Sequence, residues 1–227
     1  MKRNKVNQLP LITYIILAIN LGVYAYMLLR FQTTTSVEAL LSTGAKSNEL
    51  IVLNNEWWRL ITPAFIHIGF EHLLFNNLSI YYIGQDLEKI LGHWRFLWVF
   101  LLASLGGNIF SFAFNENISA GASTGIFGLF VAYIALSIMY PRFQDLKQRA
   151  LNFSILIILN IGPSLFSSGI DNWGHFGGAV FGALATLSVG LPIRVKSQIS
   201  NSKRLLAGVF MLVIMAALVY FRYKQYF

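Results

Sequence analysis

Residues 119–140, SAGASTGIFGLFVAYIALSIMY, contain no Asp, Glu, Lys or Arg. Residues 122–140 alone come close to the roughly 20 helical residues that cross a hydrocarbon core of about 30 Å, so the stretch reads as a membrane helix. Its first turn differs from the rest, because a hydroxyl, Ser123, is framed by Gly121, Ala122 and Gly125. The whole chain supports the lipid reading: of 227 residues, 56% are hydrophobic, 15% aromatic and only 11% charged, where a soluble domain carries about 25% charge.

Working outward, apolar runs of span length recur at 11–29, 64–83, 96–114, 150–167, 172–192 and 205–221. The expected fold is all-α, a polytopic transmembrane helical bundle forming a single membrane domain over 1–227. Between the first two spans lies 30–60, with Trp57 and Trp58 near its end; amphipathic indoles suit the headgroup level, so this loop is expected on the membrane surface with both rings as anchors. The basic start MKRNK resembles a signal peptide, but the apolar run behind it has full span length and no A-x-A-like site, which reads as a retained signal anchor. Cysteine is absent, which excludes a disulfide framework and thiolate metal sites. Asn20, Asn108, Asn152 and Asn160 fall inside spans and read as interhelical hydrogen-bond partners. Glu88 and Lys89 read as a solvated turn.

Lys and Arg set the orientation. With the N-terminus cytoplasmic, that side collects twelve of the 17, from Lys2 to Arg204, and the other side only Arg30, Lys46, Arg59, Arg222 and Lys224. The chain is therefore expected with N-terminus in and C-terminus out. Topology and anionic lipid account for the net charge of +8, with no nucleic-acid partner.

The unusual polar groups of three spans then share one depth. His67, His72 and Asn76, then Ser123, then His175, all sit where their segments enter from the outer side. Ionisable groups inside a bilayer are costly and face a protein interior or a wet cavity, so three segments placing them at one level predict a common pocket. His72 and Asn76, four apart, share a helix face. Gly121, Gly125 and Gly128 on one span, with Gly178 and Gly182 on another, have the small-residue spacing of closely packed membrane helices, and His175 lies on the Gly178–Gly182 stripe. An imidazole brought to Ser123 can take its proton and activate a weak nucleophile. Side-chain N–H groups of His72 and Asn76 and backbone N–H groups at the start of the Ser123 helix would serve a developing oxyanion, in space left open by the small residues around Ser123.

HIGFEHLLFNN, GASTGIFGL and GHFGGAVFGAL, in that order on alternate spans, resemble the rhomboid family of intramembrane serine proteases. The resemblance covers about residues 56–190 and extends to EWWRLITPAFIH, with its Trp58–Arg59 pair, and to GQDLEKILG, where Gly84, Glu88 and Gly92 fit a recurrent pattern. It implies a six-helix core, with its rhomboid-like part over about 56–192 and an extra C-terminal helix at 205–221. It implies Ser123 as nucleophile, His175 as general base, and His72, Asn76 and the Ser123 N–H as the oxyanion hole. Gly121 would shape the approach to the serine, His67 would tie the first loop to the site, Phe127 would lie beneath the histidine, and Arg59 would support the loop. The G-x-S-G pattern departs here to Gly121-Ala122-Ser123-Thr124, with a glycine displaced to 125. The family implies transmembrane protein substrates, the lipid bilayer as partner and no cofactor or metal; the charge balance and the depth of the polar groups lead us to expect a multi-pass cell-membrane location with the site opening outward, and a compact chain suits a bacterial membrane.

A different class of function competes on the same residues. His67, His72 and His175 could line a transport path as proton relays or metal ligands. Against this stand the lack of internal repeats, the confinement of polar groups to the outer half, and the scarcity of a carboxylate or thiolate near the histidines beyond Glu71.

Overall fold

The computed structural model describes residues 9–164, 169–192 and 197–227. Lys2, Arg3, Lys5, Arg194, Lys196, the end of the fifth span and the side chain of Asn160 lie outside the described residues. The described α-helices are α1 (Leu11–Phe31), α2 (Val37–Thr43), α3 (Asn48–Leu53), α4 (Gly69–Ser79), α5 (Gln85–Leu91), α6 (His93–Phe114), α7 (Ser123–Met139), α8 (Gln144–Ser164), α9 (Asn172–Val189) and α10 (Asn201–Tyr223). Of these, α1, α6 and α10 are by themselves long and apolar enough to cross a membrane.

The second span begins later than its apolar run. Pro63 sits in a short 3-10 turn, Thr62–Phe65, Ile66 is extended, and Gly69 at φ +77° starts α4. The helix then continues through a π turn at Ile80–Gly84 into α5 and stops at Gly92, φ +81°. The expected span 64–83 is thus displaced toward its C-terminal end, because proline and a left-handed glycine break the apolar run near its start.

Glu88 is not in a solvated turn. Only 2% exposed, its carboxylate accepts the Ile12 N–H at 2.9 Å, the Thr13 N–H at 2.8 Å and the Thr13 hydroxyl at 2.6 Å, and it also meets His93. Helix α1 follows Pro10, which offers no side-chain cap, so the free N–H groups and positive end of its dipole draw the carboxylate in.

The loop between α1 and α4 is built rather than draped. Arg59 is buried, donates to the Leu41 and Ala45 carbonyls at 2.8 Å each and pairs with Glu56. Lys46 is fully buried and forms an isolated antiparallel bridge with Ser119. Trp57, half-buried, packs its ring on Phe112 of α6 and Tyr223 of α10, while Trp58 is 55% exposed.

Helices α6, α7 and α9 form the centre of the bundle. Gly178 abuts the Thr124 carbonyl, and Gly182 faces Gly128 so closely that a Cβ there would fall 2.7 Å from the Gly128 oxygen. Gly125 turns instead to α6, against Ser104 and Phe100, and Gly121 faces His72, so only part of the glycine pattern serves the α7–α9 contact. Asn20 does bridge helices, donating to Asn77 at 2.8 Å. Asn108 reaches the Leu60 carbonyl in the loop, and Asn152 accepts from Gln148 within α8.

Two ends of the bundle can be told apart from their links. At one, Arg149 pairs with Asp86, the Leu191 N–H donates to Tyr140 Oη, and Arg204 caps the carbonyls of Ser188 and Val189. At the other, Asn48 donates to the Phe112 carbonyl, Lys46 to the Asn115 carbonyl, and Arg222 pairs with Glu116.

Candidate active site

The site is assembled at that second end from α4, the start of α7 and the start of α9. Gly121, at φ +135°, donates its N–H to the Pro63 carbonyl at 2.9 Å. A Cβ there would lie 2.6 Å from His72 Cε1 and 2.8 Å from its Nε2, so glycine is needed for both backbone and space. The chain then enters α7 with Ser123 as first helical residue. Its N–H and that of Thr124 belong to the first turn, where a helix has no partners of its own to offer.

Helix α9 is started by Asp171. Its Oδ1 accepts the Gly174 N–H at 2.9 Å and its carbonyl accepts the His175 N–H at 3.0 Å. That turn aims His175 at α7, where Nε2 lies 2.8 Å from Ser123 Oγ. The imidazole rests on Phe127, with ring centres 4.4 Å apart and planes 17° from parallel. Ser123 and Phe127 are four residues apart and so share a helix face. With Nε2 facing a hydroxyl, His175 Nδ1 is buried and has no hydrogen-bond partner among the described residues.

His72 Nδ1 accepts the Ile68 N–H at 3.3 Å, which assigns the ring proton to Nε2, on the Gly121 side. Asn76 is buried on the same face; one N–H of its amide returns to the His72 carbonyl at 2.8 Å, leaving the second available. His67 is fully buried, its ring 5.3 Å from that of His72. Arg59 lies behind the site in the loop, holding Leu41 and Ala45 as described. His175 does not join the His67–His72 pair, and no three His, Asp or Glu side chains among the described residues gather into a metal-ligand set.

These groups open on a cavity of about 960 Å³, lined near the serine by His72, Asn76, Phe127 and His175 and at its rim by Asn115, Asn117, Ser119 and Asp171. The cavity also continues between α4–α5 and α8 to Asp86 and Arg149. Polar groups are therefore not confined to the outer half; Asp86, joined to Arg149 and Tyr133, closes the far end. Sequence periodicity had no means of pairing residues of α5, α7 and α8.

A charged cluster backs the rim. Burial pushes the Lys46 ammonium down to about 8, against the attraction of Asp171 and Glu116, and it donates to the Asn115 carbonyl at 2.5 Å. Burial alone would raise the Asp171 carboxyl, but hydrogen bonds from Ser111, the Gly174 N–H and Asn115, with the Lys46 charge, outweigh it and hold the group below the usual carboxylate value. Neither Lys46 nor Asp171 stands out in the sequence.

Fold and site together define a polytopic helical membrane protein with a serine and a histidine paired in a cavity between helices. Residues 54–192 match the family model of the rhomboid domain, and the chain belongs to the rhomboid family. It is 38% identical over 218 residues to the rhomboid protease GluP of Bacillus subtilis (strain 168), covering 95% of this chain and 41% of GluP. YdcA of the same organism is 32% identical over 177 residues, 77% of this chain and 86% of YdcA. Rhomboid-type serine protease 2 of Emericella nidulans is 31% identical over 140 residues, 60% of this chain and 27% of that protein. The chain thus spans less than half the length of GluP and of the fungal protein, and most of YdcA.

Proposed function

We propose that this chain is an intramembrane serine endopeptidase that cleaves other membrane proteins within or beside their transmembrane segments. The 2.8 Å approach of Ser123 Oγ to His175 Nε2 carries this reading. Ser123 attacks the scissile carbonyl while His175 takes its proton and later returns it to the leaving amine. The oxyanion is met by the Ser123 N–H, the His72 Nε2–H and the free N–H of Asn76. Water from the outer side then hydrolyses the acyl-enzyme, and the chemistry uses only these side chains and backbone groups.

Depth favours an intramembrane position. At about 1.5 Å per residue, a helix of 17 residues is about 25 Å long, short of a hydrocarbon core of about 30 Å. With its cytoplasmic end near Arg142, α7 brings Ser123 to a point below the outer surface. A substrate helix must unwind there, since its carbonyls are shielded by intrahelical bonds, and small or helix-breaking residues near the scissile bond ease that step. The N-in, C-out orientation in a cell membrane belongs to the same reading.

Ser123→Ala, reconstituted in liposomes with a model transmembrane substrate, is expected to lose all cleavage and all labelling by a fluorophosphonate probe while inserting normally. Cleavage at the wild-type rate would remove Ser123 as nucleophile.

A further inference from the structure

We propose that Asp171 is a positioning residue for this reaction: its carboxylate fixes the first turn of α9, and its negative charge offsets the positive charge that His175 acquires when it takes the Ser123 proton. The inference rests on the Ser123–His175 reading above.

In a serine–histidine–carboxylate triad the acid sits directly on the ring nitrogen away from the serine, where it orients the imidazole and stabilises the imidazolium. Here that nitrogen, His175 Nδ1, is buried with no partner among the described residues. A charge formed in a buried, partly apolar cavity needs an opposite charge nearby, or forming it is costly. Asp171 is placed to provide one. It lies one helical turn before His175, lines the same cavity, and binds the backbone that carries the imidazole at two points, Gly174 N–H and His175 N–H. It also reaches back toward the serine helix. A Cβ on Gly174 would fall 2.9 Å from Asp171 Oδ2 and 3.2 Å from Thr124 Cγ2, so carboxylate, α9 and the first turn of α7 meet at one point.

The carboxylate is itself held in place. Ser111 of α6 donates to Oδ2, and the fully buried Lys46, bridged to Ser119, secures the Asn115 segment beside it. Lys46 donates to a carbonyl rather than taking Asp171 as its own ion-pair partner. Lys46 therefore attracts the Asp171 carboxylate without closing on it as a direct ion pair.

The test compares Asp171→Asn with Asp171→Ala in liposomes, with kcat expressed per active site from probe titration so that misfolded enzyme does not count. Asparagine keeps an oxygen for the Gly174 N–H and a group for Ser111, but no charge. It is expected to lower kcat about tenfold with KM unchanged, and alanine to lower it further because the cap is lost as well. An Asp171→Asn enzyme with wild-type kcat, or one altered only in KM, overturns the proposal. If Asp171→Asn yields no folded protein, Ser111→Ala decides: a fall of about threefold in kcat per site supports the role, and an unchanged kcat overturns it. His175→Ala run alongside separates the two readings. Activity surviving in His175→Ala defeats the dyad itself, whereas an inactive His175→Ala beside a fully active Asp171→Asn defeats only this inference.

Discussion

The contact between Gly128 and Gly182 sets how close α7 and α9 can come, and adding one methyl there tests whether that closeness serves the Ser123–His175 pair. In Gly182→Ala the new Cβ would sit 2.3 Å from the Gly128 Cα and 2.7 Å from its carbonyl oxygen. Both are backbone atoms, so no side chain can swing aside. To reach ordinary contact at 3.4 Å from the nearer of these, the helices must separate by the difference, about 1.1 Å. Transmitted to His175, two turns along a stiff helix, that would stretch the 2.8 Å contact with Ser123 to about 3.9 Å, beyond a useful hydrogen bond. Misplacement of about 1 Å can cost roughly a hundredfold in rate, so a fall on the order of 100-fold in kcat is expected. Overpacking of about 1–3 kcal/mol is partly offset by the roughly 1 kcal/mol that alanine gains over glycine in a helix, leaving about 1 kcal/mol of net destabilisation. The assay is cleavage of a transmembrane substrate in liposomes per probe-labelled site, with thermal unfolding in detergent alongside. Gly22→Ala is the control, because a Cβ at Gly22 of α1 meets nothing within 4 Å; it should leave activity unchanged. Wild-type turnover in Gly182→Ala would refute the view that glycine spacing in α7 and α9 holds the pair together.

Two further expectations concern parts of the structure away from the serine. The buried Lys46 releases its proton at about 8 in the folded chain, against the usual 10.5; between those values the unfolded chain binds more protons, so stability should rise with pH across that window. From pH 8 to 9.5 the gain is about 2 kcal/mol, read as a rise in the unfolding midpoint of wild type relative to Lys46→Met, and parallel pH profiles for the two would refute it. Glu88→Ala leaves the Ile12 and Thr13 N–H groups of α1 without their acceptor and should cost about 2–3 kcal/mol, measured as a lower unfolding midpoint with probe labelling of Ser123 retained at low temperature.

Most spans, and the stripe that carries His175, were legible because each depends on a property that one segment carries alone. A run without charge long enough to cross lipid is visible at 96–114 or 205–221 whatever its neighbours, and His175, Gly178 and Gly182 fall on one stripe by arithmetic. What could not be read depends on partners far along the chain. Glu88 lies 75 residues from Thr13, whose N–H and hydroxyl it accepts, and Lys46 lies 69 from Asn115. In the sequence, one resembles a surface acid and the other a loop cation. Gly125 was readable as a small residue but not as one facing α6, since periodicity names a face without naming the helix opposite. Asp171, at the end of a connecting segment, carries no periodic signal at all, yet it starts the helix that presents His175.

Helix α10 shows the same dependence on distant partners. Much of its surface is exposed apolar side chain, including Leu205, Val209, Phe210 and Val213, as a lipid-facing helix requires. Its polar ties are concentrated at the two ends. At one, Arg204 donates to the Ser188 and Val189 carbonyls, meeting the free acceptors and negative dipole end of α9. At the other, Arg222 pairs with Glu116 and its hydrogen bond is the main reason that carboxyl is held below its usual value, while Tyr223 packs on Trp57. Glu116 is next in the chain to Asn115, whose carbonyl accepts Lys46 and whose side chain bonds Asp171. Helix α10 is thus anchored at its C-terminal end to the segment that steadies the start of α9. Loosening it by Arg222→Ala would act on His175 through that segment, although α10 itself touches neither Ser123 nor the cavity beside it.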